Sequence, residues 1–221
     1  MKEQKFKHGV FLFISLVVFV LFIIAFVNIV DELQEDEIKH FDDAVFIFIQ
    51  SLISDRLTAI MKVITYLGGV QWIVLFTLLV IILLLVYKKY SLALFLALTT
   101  SVGGGFNWVL KWLFKRERPD MEALIEQSGY SFPSGHSMGS FILYGSIAFI
   151  LFRAFDYRYL KWISAFTGGL LVLFIGLSRV YLHVHYASDI IGGFTAGGAW
   201  LTFCIAFYIH FYNKRRWKKH S

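Results

Sequence analysis

Apolar residues in this chain come in long runs separated by short polar stretches. Runs of about 20 residues, enough to cross roughly 30 Å of hydrocarbon as helices, fall near residues 9–30, 91–114, 135–153, 161–178 and 188–212. A further run, between 57 and 87, is too long for one straight span. Gly68-Gly69 near its middle predicts a break between a short helix and a span from about Val70 to Val86. The pattern predicts an all-α integral membrane bundle of six transmembrane helices.

Residues 31–56 differ, opening with Asp31-Glu32-Leu33-Gln34-Glu35-Asp36-Glu37 and continuing through Asp42-Asp43-Ala44-Val45-Phe46-Ile47-Phe48-Ile49-Gln50. A helix lying in the membrane interface between spans one and two fits this pattern. An ordinary loop with a short packing helix fits it equally well. The first run, Val10 to Val30, is longer than a signal-peptide core and lacks a small-x-small cleavage site, so it reads as a span that stays.

Composition agrees with the bilayer as solvent: 58% of the 221 residues are hydrophobic and 19% aromatic, against about 45–50% apolar in soluble domains. With only two prolines as punctuation, long helices are favoured over many short strands. The single cysteine, Cys204, rules out an intramolecular disulfide and a Cys-based metal site, and reads as a small apolar residue in a span.

The formal charge of +6 does not point to nucleic acid, because the basic residues sit in short clusters beside apolar runs. With the N-terminus inside, the inner segments carry Lys2, Lys5, Lys7, Lys88, Lys89, Arg153, Arg158, Lys161, Lys214, Arg215, Arg216, Lys218 and Lys219. These are 13 of the 21 Lys and Arg, against only Glu3 and Asp156 of the 15 acidic residues. The positive-inside rule then holds at all four inner segments, predicting an even number of spans with both termini cytoplasmic. The cationic tail reads as a stop and an anchor on anionic lipid.

That topology sends three polar blocks to the outer face. The first is Lys111-Trp112-Leu113-Phe114-Lys115-Arg116-Glu117-Arg118-Pro119. Lys111 near a membrane boundary either snorkels or meets an anion. Pro119 biases Arg118 out of the helical region, so Lys111 and Arg118 can converge on one pocket from a helix and from the extended segment leaving it. The second is Ser131-Phe132-Pro133-Ser134-Gly135-His136. Here Ser134 is a natural N-cap, Gly135 admits close backbone approach, and the helix start suits a phosphate.

The third block runs from Ser178-Arg179 through His183-Val184-His185-Tyr186 to Ser188-Asp189. His185 and Asp189 are spaced i, i+4, so on a helix the carboxylate can hold one ring N–H and leave the other nitrogen free as a nucleophile. Arg179 adds a planar fork for two phosphate oxygens. Three cations, two histidines, one carboxylate and a helix N-terminus on one face form an oxyanion site suited to phosphoryl transfer, in which positioning and neutralisation dominate.

The blocks resemble the three signature motifs of the type-2 phosphatidic acid phosphatase superfamily: Lys-x6-Arg-Pro, Pro-Ser-Gly-His and Ser-Arg-x5-His-x3-Asp. Every fixed position matches. Within it the chain most resembles the small bacterial membrane members of the phosphatidylglycerophosphatase B type. The resemblance implies one membrane-embedded lipid phosphatase domain over residues 1–221, with the motif region at 111–189. It implies metal-independent hydrolysis of a lipid phosphate or pyrophosphate, such as phosphatidylglycerol phosphate, phosphatidic acid or undecaprenyl pyrophosphate, on the outer face of the cell membrane.

By the same resemblance His185 attacks phosphorus to form a phosphohistidine and Asp189 orients it. His136 protonates the leaving oxygen and then assists water. Lys111, Arg118, Arg179, Ser134 and Gly135 bind the phosphate, and Ser178 supports or caps. No metal or other cofactor is implied, and Pro119 and Pro133 read as structural. His183, His8, His40, His210 and His220 read as interfacial. The alternatives are a non-catalytic lipid transporter or binding protein on the same scaffold and, remotely, a vanadate-dependent haloperoxidase, a soluble class with a similar oxyanion pocket.

Overall fold

The structure, a computed structural model, describes residues 2–35, 38–154 and 157–218. Asp36, Glu37, Asp156, Lys219 and His220 lie outside the described residues, as do the side chains of Lys2, Lys5, Lys214, Arg215, Arg216 and Lys218. The described chain is all-helical: α1 (Lys2–Gln34), α2 (Lys39–Gln50), α3 (Asp55–Tyr66), α4 (Val70–Val86), α5 (Tyr90–Phe114), α6 (Gly135–Ala154), α7 (Arg158–Tyr181) and α8 (Ala187–Lys218).

Helices α1, α5, α6, α7 and α8 are each long and apolar enough to cross a membrane. The pair α3 and α4, bent by 47° at the intervening residues 67–69, qualifies as a sixth, broken span. The break falls at Gly68-Gly69, as the sequence predicts. Gly69 takes an extended backbone at the start of α4, so the chain changes direction there.

Helices α6 and α8 form the centre. Helix α8 packs on α1, α2, α5, α6 and α7, and α6 also packs on α4, α5 and α7. Met138, Leu143, Leu96 and Ile175 are wholly buried between these helices, whereas α1 and α4 present Phe13, Leu16, Leu21, Val74, Leu79 and Ile82 outward. In water such faces would be untenable, but in lipid they cost nothing.

Close packing at the centre needs small residues. A Cβ added to Gly193 would meet the Ser134 carbonyl oxygen at 2.8 Å and the Ser137 Cβ at 2.9 Å. The start of α6, which carries the Pro-Ser-Gly-His block, is thereby drawn onto α8, in the manner of small-residue packing between membrane helices.

Contacts along α1 and α8 fix their sense. His8 stacks on His210, Phe19 meets Phe203, and Phe26 stacks on Phe132. At the His8 end, Ser91 bonds Tyr208 and the Arg153 guanidinium lies over the Tyr212 ring. Among the described side chains, Lys7, Lys88, Lys89 and Arg153 therefore lie toward one end of the bundle and the three polar blocks toward the other.

Helix α2 occupies the segment whose sequence left two readings open. One side carries buried Asp42 and Ile49 onto α7 and α8, while Phe41, Ile47 and Phe48 face outward. The packed side is mainly apolar, with Asp42 the charge it carries, and the exposed side mixes Phe41, Ile47 and Phe48 with Lys39, His40 and Asp43, as suits a helix lying at a membrane interface.

Gly193→Ala is expected to destabilise the protein by about 1–3 kcal/mol, the usual cost of overpacking a close contact. It should read out as a lowered thermal midpoint in detergent, with a smaller loss for Gly104→Ala, where an added Cβ meets open space.

Candidate active site

Helix α5 stops after Phe114 because Lys115 turns left-handed, at φ 46°, and its N–H bonds back to the Lys111 carbonyl. Beyond that turn the chain runs irregularly from Arg116 to Ser134. The side chains of Lys111 and Arg118 meet as the sequence predicts. Lys111 Nζ donates to the carbonyls of Tyr130 (2.5 Å) and Ser131 (3.0 Å). Arg118 donates to the carbonyls of Ser128, Gly129, Tyr130 and Val184.

Ser134 caps α6: its Oγ accepts from the Ser137 N–H at 3.4 Å, and its own N–H donates to the Asp189 carbonyl at 3.0 Å. The Ser134 side chain is thus buried and occupied by the cap. Gly135 provides close approach, since an added Cβ would lie 3.1 Å from Asn107 Oδ1 and 3.8 Å from Lys111 Cε. His136 leans into the bend between α3 and α4, where a Cβ on Gly68 would come within 3.4 Å of its ring.

In the third block one local expectation needs correction. His185 and Asp189 do not share a helix: α7 ends at Tyr181, residues 182–186 form a turn, and α8 starts at Ala187. Asp189 is instead the third residue of α8, and its Oδ2 accepts from the Tyr186 N–H at 2.9 Å, the reach-back half of a capping box. The same oxygen lies 3.1 Å from His185 Nδ1 and accepts a short bond from Ser131 Oγ. His185 and Asp189 therefore pair as predicted, by capping rather than by helical register.

His185 is 3% exposed and Asp189 is 0%. With Nδ1–H donating to the carboxylate, the lone pair is on Nε2, which faces Arg118 Nη1 at 3.3 Å. Burial, reinforced by the charges of Arg179 and Arg118 and opposed by Asp189, pushes the His185 pKa down to about 4. The imidazole is neutral at pH 7, as a nucleophile must be.

Arg179 is wholly buried, Nη1 donating to Thr65 Oγ1 (2.7 Å) and Nη2 to Gln127 Oε1 (2.6 Å); Nε–H has no acceptor among the described residues. Ser178 bonds back to the Ile175 carbonyl at 2.6 Å within α7, a structural role. His183 is not interfacial. It is buried at φ 57°, packed on Phe46 with Nδ1 3.2 Å from the Glu122 carbonyl.

A cavity of about 410 Å³ opens before these groups, walled at one end by Lys111, Arg118, Gly135, His136 and His185. It continues between α4, α5 and α6 past Val70, Ile73, Val74, Gly103, Gly104 and Ile142. A cationic end bearing two imidazoles passes directly into an apolar cleft. Ser134, Ser178, Arg179 and Asp189 stand behind this wall.

Sequence reasoning missed two charged residues at the site. Arg116 Nη1 donates to Asp189 Oδ1 at 2.7 Å, and its Nη2 donates to Asp42 Oδ2 at 2.8 Å. The Asp42 signal was present: Asp42, Val45, Phe46 and Ile49 recur at three- and four-residue spacing, so one carboxylate belongs to the packed side of α2.

The pattern defining the PAP2 superfamily matches residues 89–217. The chain belongs to the PAP2 superfamily. Over 143 residues, 64% of this chain and 70% of the other, it is 34% identical to phosphatidylglycerophosphatase B of Bacillus subtilis (strain 168). Over 119 residues, 48% of this chain and about half (52%) of the other, it is 32% identical to YbjG, a candidate undecaprenyl-diphosphatase of Escherichia coli (strain K12). The crystal structure of a transmembrane PAP2-type phosphatidylglycerolphosphate phosphatase from Bacillus subtilis superposes with a TM-score of 0.78 at 28% identity, covering 87% of this chain and 94% of that one. Each of the three polar blocks contributes to the lining of the cavity: Lys111 and Arg118, Gly135 and His136, and His185.

In protein carrying ¹⁵N-labelled histidine, His185 is expected to stay neutral from pH 7 to about 5 and to titrate near 4. Asp189→Asn should lower that value further, because the carboxylate opposes the effect of burial. A His185 titration at the ordinary value of about 6.5 would contradict the buried, carboxylate-held imidazole.

Proposed function

We propose that this protein hydrolyses a lipid phosphomonoester or pyrophosphate through a phosphohistidine formed on His185. The reading is carried by one observation: His185, held through Nδ1 by Asp189, turns Nε2 toward the cationic end of a cavity that continues as an apolar cleft. A phosphate with a long hydrocarbon tail fits both ends of such a space.

In the first half-reaction the Nε2 lone pair attacks the terminal phosphorus and the bond from phosphorus to the leaving oxygen breaks, that oxygen being the lipid ester oxygen of a monoester or the bridging oxygen of a pyrophosphate. His136, on the same wall, gives its proton to that oxygen. In the second half-reaction His136 takes a proton from water as the water oxygen attacks phosphorus and the P–N bond breaks, releasing phosphate and restoring neutral His185. Lys111, Arg118 and Arg179 offset the charge spread over the phosphoryl oxygens, work done in other phosphoryl-transfer enzymes by Mg²⁺.

Asp189, Ser134 and Ser178 act as supports, and Gly135 allows the phosphate near the backbone. The charge pattern supports a multi-pass cell-membrane protein with both termini cytoplasmic and the site extracytoplasmic. The apolar cleft supports lateral arrival of the substrate from the adjoining leaflet.

For substrate, the likeness to phosphatidylglycerophosphatase B favours phosphatidylglycerol phosphate. The likeness to YbjG favours undecaprenyl pyrophosphate as a second reading. The non-catalytic alternative is disfavoured by the intact His136, His185 and Asp189.

Purified protein in detergent with EDTA is expected to release inorganic phosphate from a lipid phosphate, and His185→Ala to abolish release. Comparison of kcat/KM on phosphatidylglycerol phosphate, phosphatidic acid and undecaprenyl pyrophosphate should rank the first highest. Dependence on added metal, or undiminished turnover by His185→Ala, would defeat the mechanism.

A further inference from the structure

We infer that Arg116 and Asp42 form a positioning pair that holds the Asp189 carboxylate, making helix α2 a working part of the active site. The inference rests on the phosphohistidine reading only for its kinetic test.

Asp42 lies in the first turn of α2, is 3% exposed, and has no water-facing alternative for its charge. Its Oδ1 accepts from the Ser188 N–H at 2.9 Å, and its Oδ2 accepts from Ser188 Oγ at 2.6 Å and from Arg116 Nη2 at 2.8 Å. Arg116 Nη1 donates to Ser188 Oγ and to Asp189 Oδ1, both at 2.7 Å. The guanidinium also lies over the Tyr186 ring, 4.1 Å from its centroid.

One planar fork thus bridges two buried carboxylates, one from α2 and one from α8, and stacks on the residue between His185 and α8. A lysine could carry the charge but not both bonds in one plane. Flanking carboxylates, opposing the cost of burial, keep the Arg116 pKa above the ordinary guanidinium value, so the bridge is permanently charged.

Asp189 Oδ1 faces Arg116 while Oδ2 faces His185, so the carboxylate cannot rotate without giving up a charge-assisted bond. Neither Arg116 nor Asp42 lines the cavity; both act through Asp189. The charged and titratable groups around His185 are Lys111 of α5, Arg116 and Arg118 of the following segment, His136 of α6, Arg179 of α7, Tyr186, Asp189 of α8 and, beyond Arg116, Asp42 of α2. Only Asp189 and Asp42 are anionic among them.

Two substitutions separate positioning from mere structural support, because they change the charge behind Asp189 in opposite senses. Asp42→Asn removes an anion and should move the acid limb of kcat/KM to lower pH. Arg116→Gln removes a cation and should move it to higher pH. Lost orientation should lower kcat by about tenfold in Asp42→Asn and about 100-fold in Arg116→Gln, with KM little changed. Arg116→Lys should leave the acid limb in place without restoring kcat.

The same opposed shifts should appear in the His185 titration followed by NMR in ¹⁵N-histidine-labelled protein, which needs no turnover. If the unsubstituted protein releases no phosphate, the functional reading falls while the titration still decides the positioning. Should Arg116→Gln fail to fold in detergent, Asp42→Asn carries the test alone. Wild-type kcat in both variants, or a kcat loss with the His185 titration unmoved or moved the same way in both, would overturn the inference.

Discussion

Asp189 is a carboxylate without contact with solvent, and such a group is tolerated only where donors replace its lost water. Its four donors come from two parts of the chain: Ser131 and Arg116 from the segment between α5 and α6, His185 and the Tyr186 N–H from the turn before α8. Its own backbone carbonyl takes the Ser134 N–H at the start of α6. Each donor is thereby located relative to the others to within a hydrogen bond. The three polar blocks, spread over some 79 residues from Lys111 to Asp189, become one wall because they share this anion.

Removing one partner from a buried charge pair typically costs about 3–5 kcal/mol, whereas the intact pair contributes little net stability. The network around Asp189 therefore specifies geometry more than it stabilises the bundle. Bundle stability lies instead in the packing of α6 on α8 through Gly193 and of Met138, Leu143 and Leu96 in the centre. This division separates the parts of the protein: the lipid-facing residues of α1 and α4 can be any apolar residue, while the site tolerates few changes of even one atom.

Much of this was legible in the sequence because membrane spans announce themselves. A run such as 91–114 has one stable fate in lipid, and the observed α5, Tyr90–Phe114, differs by a residue at its start. The break at Gly68-Gly69 was equally plain, since no single span needs about 30 residues. The meeting of Lys111 with Arg118 followed from Pro119 and the limits it sets on Arg118. The relation of His185 to Asp189 was right in partner and wrong in cause, because i, i+4 spacing arises from a capping box across a helix start as readily as from a helix. His183 was misread for a related reason: its left-handed backbone turns it inward against Phe46, and nothing in a His-Val-His string announces that turn.

Arg116 was hidden by something different, and Asp42 showed only through its spacing. An arginine among Lys115, Glu117 and Arg118 is indistinguishable by pattern from a boundary cation, and Asp42, after an acidic stretch, is marked only by its three- and four-residue spacing with Val45, Phe46 and Ile49. What joins them is tertiary: α2 packs Val45, Phe46 and Ile49 against the protein and carries Asp42 in among them, while Phe41, Ile47 and Phe48 stay exposed. A lone carboxylate on that otherwise apolar packed side is improbable as decoration, since a buried anion demands a cation within reach. The cation that answers it, Arg116, is also the one bonded to the carboxylate behind His185, so the burial rule that shapes α2 leads to the same atom as the chemistry of the site.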